Sequence, residues 1–483
     1  VTLLLKTITR NSLVALVSKF FVKLISFVFT ILIARTLGES EFGRYALIWS
    51  YVTIFATCSD FGLGMYTIRE LAKGQANSKY LAENIIVFRL MLALATVLLI
   101  GLTSFFIGYT PQMFWHIVLA STTLFIYAVQ DPLDSILQAN ERVDWSSLLR
   151  IVGQFIFIGL GAIFLLLGGG ITGLIAASLC NTFISAVLSW YLVQKYLGGL
   201  EWHIEPKIWF TLLKAALPFG IIGLALNWSQ ELDTVMLSFF WPDEVIGWYN
   251  AAYNLILGMV IISNSFNVAL YPTMSKENSR NTIGLHRLYK RIFKYLFMAS
   301  FPLAVGFFML SRPIILTFYG EAFAPAILPL SILAWLLPMV FVSEFLRYTA
   351  LVVGQEKKAA TAILLASLVN MILNLLFIPR YGLLAASVTT LITEAFLVSL
   401  YLWQLRVEIS IISMGSVVWK PALAASLMAV ILLLFSFMPF ILAIILAGST
   451  YIGILFLLGD LGAEETGILR ELFTRHVPVV SNQ

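Results

Sequence analysis

SLVALVSKFFVKLISFVFTILIA, Ser12 to Ala34, is apolar over the length that a helix needs to cross a bilayer. Two lysines interrupt it, Lys19 and Lys23. A charge near a bilayer centre costs about 2.5–3.5 kcal/mol on insertion scales, so each needs a setting that repays the cost. Four residues apart, the two share one helical face, which Ser12, Ser26 and Thr30 continue. This is a polar stripe turned away from lipid, carrying paired positive charge, and an anion is expected opposite it. That anion is either the head group of a substrate or one of the chain's own carboxylates, Asp60, Glu231 or Asp233.

The rest of the chain repeats the opening pattern. Of 483 residues, 60% are hydrophobic and only 11% charged, with mean hydropathy +0.94, which excludes a soluble globular protein. About fourteen apolar runs of spanning length follow one another, the last Phe440–Leu458. The first run is expected to be a retained helix, because it is too long for a cleaved signal and no small-residue site follows it. Cys58 and Cys180 lie in apolar segments and are expected to be buried, inert thiols. The net charge of +5 is spread over membrane-flanking breaks, which is no nucleic-acid signature.

Those breaks orient the chain. Arg69, Lys79, Arg142, Lys195, Lys276, Arg291, Lys357 and Arg406 fall on one side, and Arg35, Arg44, Arg312 and Arg380 on the other. The positive-inside rule then places both termini in the cytoplasm.

An internal repeat organises the helices. FGRYA (Phe42–Ala46) matches IGWYNA (Ile246–Ala251), and GLIAAS (Gly173–Ser178) matches GLLAAS (Gly382–Ser387). A weaker pair is NER (Asn140–Arg142) with QEK (Gln355–Lys357). Matches in one order at a similar offset point to a duplicated six-helix unit, whose even number makes the repeats parallel. The expected fold is therefore an all-α polytopic membrane protein. Its parts are a first lobe over 1–195, an interfacial linker helix over 196–215, a second lobe over 216–405, two further helices over 406–460 and a cytoplasmic tail over 461–483. Two such lobes rocking about a central site make a transporter.

Polar residues at helical spacing mark that site. One stripe runs Ser50, Thr53, Thr57, Asp60, and another Asn227, Gln230, Glu231, Thr234 with Asp233 beside it. Glu344 and Arg347 follow on a later helix, and Glu394 on the twelfth. They are expected to face a shared water-filled cavity, since ionisable groups avoid lipid. Lys19, Lys23, Asn227 and Arg347 are the candidates for binding substrate, while Asp60, Glu231, Asp233, Glu344 and Glu394 are those for coupling to H+ or Na+. Alternatively Glu344 and Arg347, three residues apart, simply pair with each other, and Asp131 neutralises Arg89. No phosphate loop and no H-E-x-x-H is present, His116, His203, His286 and His476 are scattered, and no metal or other cofactor is expected.

Several segments resemble a known family. LIARTLGESEFGRYAL (Leu32–Leu47), DFGLGMYTIREL (Asp60–Leu71), ALPFGI (Ala216–Ile221), ELDTVMLSFF (Glu231–Phe240), YPTMSK (Tyr271–Lys276) and NMILNLLFIPRYGLLAAS (Asn370–Ser387) are similar to bacterial Wzx-type polysaccharide flippases. The resemblance covers nearly the whole chain. It implies the multidrug, oligosaccharidyl-lipid and polysaccharide exporter superfamily, with two six-helix lobes and alternating access. It also implies flipping of an undecaprenyl-diphosphate-linked oligosaccharide to the outer leaflet of the bacterial cytoplasmic membrane, for polysaccharide or O-antigen export. Partners would be membrane lipids and a polysaccharide polymerase or export machinery. In related lipid II flippases, cations on the first helix serve the diphosphate; Lys19 and Lys23 hold a comparable position as point charges rather than guanidinium forks. The alternatives are an ion-coupled multidrug exporter, which the lysine pair disfavours, and a glycan polymerase or ligase, which the short outer breaks disfavour.

Overall fold

The computed structural model describes residues 2–72, 78–140, 142–200, 202–278, 282–406, 415–435 and 437–460; of residues 2–21 and of several near helix ends it describes the backbone alone. Among these residues the fold is all-helical. The first half of the chain holds α1 (Thr2–Asp60), α2 (Leu63–Ala72), α3 (Ser78–Ile107), α4 (Pro111–Ser121), α5 (Thr123–Ala139), α6 (Val143–Leu166) and α7 (Gly170–Leu197). The second holds α8 (Trp209–Phe240), α9 (Asp243–Asn278), α10 (Thr282–Met309), α11 (Ser311–Phe318), α12 (Ile327–Ala334), α13 (Leu336–Val352) and α14 (Glu356–Gln404). Two more, α15 (Gly415–Leu434) and α16 (Phe440–Leu457), pack on α10.

Ten of the described helices are long and apolar enough to span a membrane, or eleven when α12 and α13, bent by 45°, count as one. The chain is thus a multi-pass membrane protein. Several expected spans are divided or joined differently. The first two are the arms of α1, which only Gly38 breaks (φ 78°, ψ 175°). The second arm stops at Asp60 rather than Ile68, because the chain turns through Phe61 and Gly62 at positive φ. The fourth span is two helices, α4 and α5, meeting at Thr122. The eleventh and twelfth are the arms of α14 on either side of Gly382. There the Trp241 indole fills the break and donates to the Ile378 carbonyl at 2.8 Å. A Cβ on Gly382 would lie 2.9 Å from that ring.

Segment 196–215 takes another form than a helix lying on the membrane. Gly198 and Gly199 end α7 at positive φ, Trp202 also lies at positive φ, and Pro206–Ile208 make one 3-10 turn before α8 starts. Glu83 and Asn84, both buried in α3, hold the stretch by its backbone: His203 N donates to Glu83 at 2.8 Å and Glu205 N to Asn84 at 2.7 Å. The linker is clipped to the first half because buried polar groups on α3 supply its missing partners. Cys58 is half-buried and Cys180 is exposed on α7, a correction to the expectation of two buried thiols.

The halves meet along α1, α8 and α9. The side on which α1 begins is called the near side, and the side of its break at Gly38 the far side. On the far side the glycines of the FGRYA and IGWYNA matches cross. A Cβ on Gly43 would lie 1.9 Å from the Asp243 carbonyl oxygen, and one on Gly247 2.0 Å from that of Glu39.

Candidate functional site: a polar seam, a buried carboxylate and an apolar groove

The two predicted polar stripes face each other. Second-arm residues of α1 meet α8 across the boundary between halves: Ser50 donates to Glu231 at 2.6 Å, and Asn227 donates to Thr57 at 2.7 Å. On the far side, Arg44 closes the seam with Asp243 at 2.7 Å while also holding Glu41. On the near side, Gly62 lies so close to α8 that a Cβ there would come within 2.3 Å of Gly220 N. Glu231 and Asn227 thus each hold a hydrogen bond across the seam.

Asp60 ends that arm, and its carboxylate accepts from Gly62 N at 3.2 Å and Gly64 N at 2.9 Å, which caps α2. Arg89 reaches it at 3.4 Å and reaches Asp131 at 2.8 Å. The expected pairing of Arg89 with Asp131 is present, and Asp60 shares it.

Asp233, two residues from Glu231, turns away from the seam into the second half. It is 1% exposed and accepts three hydrogen bonds: from Tyr249 Oη at 2.6 Å, Thr390 Oγ1 at 2.6 Å and Asn374 Nδ2 at 2.5 Å. Asn374 also donates to Asn370 at 3.0 Å, and its amide oxygen accepts from Thr389 at 2.5 Å. The cluster ties α8, α9 and both arms of α14 with no cation among the described residues. A carboxylate ringed by neutral donors retains capacity for a proton or a small cation. Tyr249, Asn370 and Asn374 were missing from the predicted site. Tyr249 does lie in the IGWYNA repeat, and the asparagines stand four apart on one face of α14.

Beside this cluster lies a cavity of about 160 Å³, whose walls include the polar side chains of Gln230, Asn264, Glu344, Arg347, Thr390 and Glu394. Thr390 and Asn370 belong to both, so cavity and carboxylate are one hydrogen bond apart. Within it Arg347 donates to Glu344 at 2.5 Å and lies over the Tyr348 ring at 4.8 Å. Ser343 donates to Glu394. Arg347 is thus engaged by its own neighbour.

The Lys19 side chain lies outside the described residues. Lys23 is exposed, and Asp60, Glu231 and Asp233 take other partners. One turn further along α1, Phe27 packs on α9, where a Cβ on Gly258 would meet its ring at 2.7 Å. Phe27 also lines an apolar groove of about 370 Å³ bounded by α9, α10, α11, α15 and α16, with Met259, Leu303, Phe307, Phe440 and Ile444 among its walls. Lys23 and Phe27 share one face of α1 at helical spacing. No group of residues among those described could hold a metal ion by His, Cys, Asp and Glu donors.

Comparison with known proteins places these features. The family model described as "Polysaccharide biosynthesis protein" matches residues 8–278, more than half of the chain, and that of the "Lipid II flippase MurJ" matches 229–458. The chain is 22% identical over 393 residues to the probable low-salt glycan biosynthesis flippase Agl15 of Haloferax volcanii, covering 80% of this chain and 81% of that one. It is 27% identical over 172 residues to the teichuronic acid biosynthesis protein TuaB of Bacillus subtilis, covering 33% and 35%. Among solved structures, the lipid II flippase MurJ in an inward closed conformation superposes with TM-score 0.78 at 16% identity, over 92% of this chain and 98% of that one. An inward-facing multidrug transporter of the MATE family gives 0.66 at 17% identity, over 80% and 94%. Likeness at these identities shows a shared fold.

Proposed function

The chain belongs to the polysaccharide biosynthesis protein family, and from that membership we propose that it is a flippase, which carries a lipid-linked oligosaccharide across the membrane by alternating access. It is a transporter and not an enzyme. The observation that carries the reading is the conjunction of Lys23 and the groove behind Phe27. A lipid-linked sugar has an apolar chain, an anionic linkage and a polar glycan. The groove offers the first an apolar wall, and Lys23, with Lys19 one turn before it, offers the second a positive charge. A cationic drug would gain nothing from that arrangement, which disfavours the multidrug reading.

The finer assignments extend this proposal. The substrate is an undecaprenyl-diphosphate-linked oligosaccharide, moved from the cytoplasmic to the outer leaflet of a bacterial cytoplasmic membrane, and a polymerase or export machine takes it on. Lysine asymmetry favours cytoplasmic termini, which makes the near side cytoplasmic. The moving bodies are the lobes 1–195 and 216–405, with 406–460 as a flank to the groove. Coupling to H+ or Na+ is assigned to Asp233, whose donors are neutral, with Glu394 next to the same cavity. Asp60 and Glu344 are already paired with arginines and serve the structure.

The test is flipping of a lipid-diphosphate sugar in proteoliposomes. Lys19→Ala with Lys23→Ala should cut the rate at unchanged protein level. Unchanged flipping would remove both lysines from the substrate path.

A further inference from the structure

The near-side seam depends on a turn that its own residues disfavour. Phe61 sits at φ 47°, in the left-handed region where a bulky side chain is strained, and Gly62 follows at φ 82°. The turn is wedged against α8: a Cβ on Gly220 would lie 2.7 Å from the Phe61 carbonyl oxygen. Asp60 holds the turn in place through Gly62 N and Gly64 N. What holds Asp60 is Arg89, 2% exposed, which offers one nitrogen, Nη2, to Asp60 at 3.4 Å and to Asp131 at 2.8 Å. Its Nε and Nη1 have no hydrogen-bond partner among the described residues.

An arginine settled on one carboxylate often makes two parallel bonds. Here one nitrogen is divided between two acids on different helices, α1 and α5, and the longer contact goes to the acid that builds the gate. We propose that Arg89 is a positioning residue for the near-side gate, acting through Asp60, and that Asp131 competes for it. Arg89 drawn to Asp60 stiffens the Phe61–Gly62 turn and keeps the halves closed against Gly220. Arg89 drawn to Asp131 loosens the cap and lets the strained turn relax away from α8. The proposal rests on the alternating-access reading, and its test reads the gate without substrate.

A Cβ on Gly223 would lie 3.4 Å from Thr57 Cγ2, so Thr57→Cys with Gly223→Cys puts a thiol pair across the near-side seam within disulfide reach. In a background with Cys58→Ser and Cys180→Ser, the rate of oxidative cross-linking in proteoliposomes reports closure. Arg89→Gln should slow it about fivefold or more, the lower end of coupling between sites. Asp131→Asn, isosteric and half-exposed, should speed it by releasing Arg89 to Asp60. Opposite signs from the two variants are what a merely structural arginine would not give. If Arg89→Gln fails to fold, Asp131→Asn decides alone. A cross-linking rate unmoved by Asp131→Asn overturns the proposal. Flipping that fails in the parent protein while cross-linking responds would overturn the function and leave the gate standing.

Discussion

Gly43 and Gly247 cross where the two halves meet, each filling the space that the other helix's backbone leaves open. Their clashes are reciprocal: a Cβ on Gly43 would meet the carbonyl oxygen of Asp243, four residues before Gly247, at 1.9 Å. One on Gly247 would meet that of Glu39, four residues before Gly43, at 2.0 Å. Reciprocity of this kind is what an axis between two repeats imposes on the residues nearest to it. Neither contact is with a flexible side-chain tip, so the backbones must part to admit a methyl group. Gly43→Ala and Gly247→Ala should each oppose far-side closure by about 1–3 kcal/mol, the usual cost of overpacking. Flipping should fall about tenfold at normal protein level, while labelling of cysteines placed on the far-side seam increases.

Arg44 and Asp243 latch the same end at 2.7 Å, but their side chains are 38% and 34% exposed, so solvent screens the pair. Arg44→Asp and Asp243→Arg should each lower flipping a few-fold only, through like-charge contact with Glu41 on one side or Arg44 on the other. The exchanged double variant, Arg44→Asp with Asp243→Arg, should recover most of it. Lack of recovery would show that Glu41 competes for the exchanged charge.

Asp233 is expected to answer differently from its donors. In Asp233→Asn the amide oxygen can keep the Asn374 bond, but the new amide nitrogen faces Tyr249 Oη and Thr390 Oγ1, which must turn from donating to accepting, and the loss of their bonds to a charged group costs about 1–3 kcal/mol. Asn374→Ala removes a donor and should lower thermal stability in detergent by a similar amount. Dependence of flipping on a proton or sodium gradient should vanish in Asp233→Asn and persist in Asn374→Ala. Equal loss of that dependence in both would make the cluster a structural tie between α8, α9 and α14.

The helical fold was legible because spanning length is a local property, readable from runs such as Ser12–Ala34. Gly43 and Gly247, which the FGRYA and IGWYNA match singles out, prove to be contact points between the halves. The fate of each carboxylate was not legible. Glu231 and Asp233 stand two apart on α8, which turns them to opposite faces, one toward Ser50 and the other toward Tyr249 and Asn374. Their partners lie far along the chain, and periodicity alone ranks no acid above another. The Phe61–Gly62 turn was hidden for a similar reason. A phenylalanine at positive φ contradicts local preference and persists only because Asp60 and α8 hold it.

The groove gives the most direct test of what the protein carries. Gly306 and Gly448 line it, and a Cβ on either would touch nothing within 4 Å. Large side chains there can grow into the groove without displacing backbone. Gly306→Phe and Gly448→Phe should therefore leave folding intact, since the added ring replaces lipid contact rather than packed protein. A phenylalanine ring added at either position would take up part of a space near 370 Å³. If an apolar lipid chain lies in the groove during transport, both variants should slow flipping of a long-chain lipid-diphosphate sugar by tenfold or more. An analogue carrying the same head group on a short chain should be slowed far less, because it never needs the filled space. Lys23→Ala should show the opposite pattern, slowing both substrates alike, since both keep the anionic linkage. Equal slowing of long and short chains by the glycine variants would mean that the groove serves helix motion and that the lipid chain stays in the bilayer.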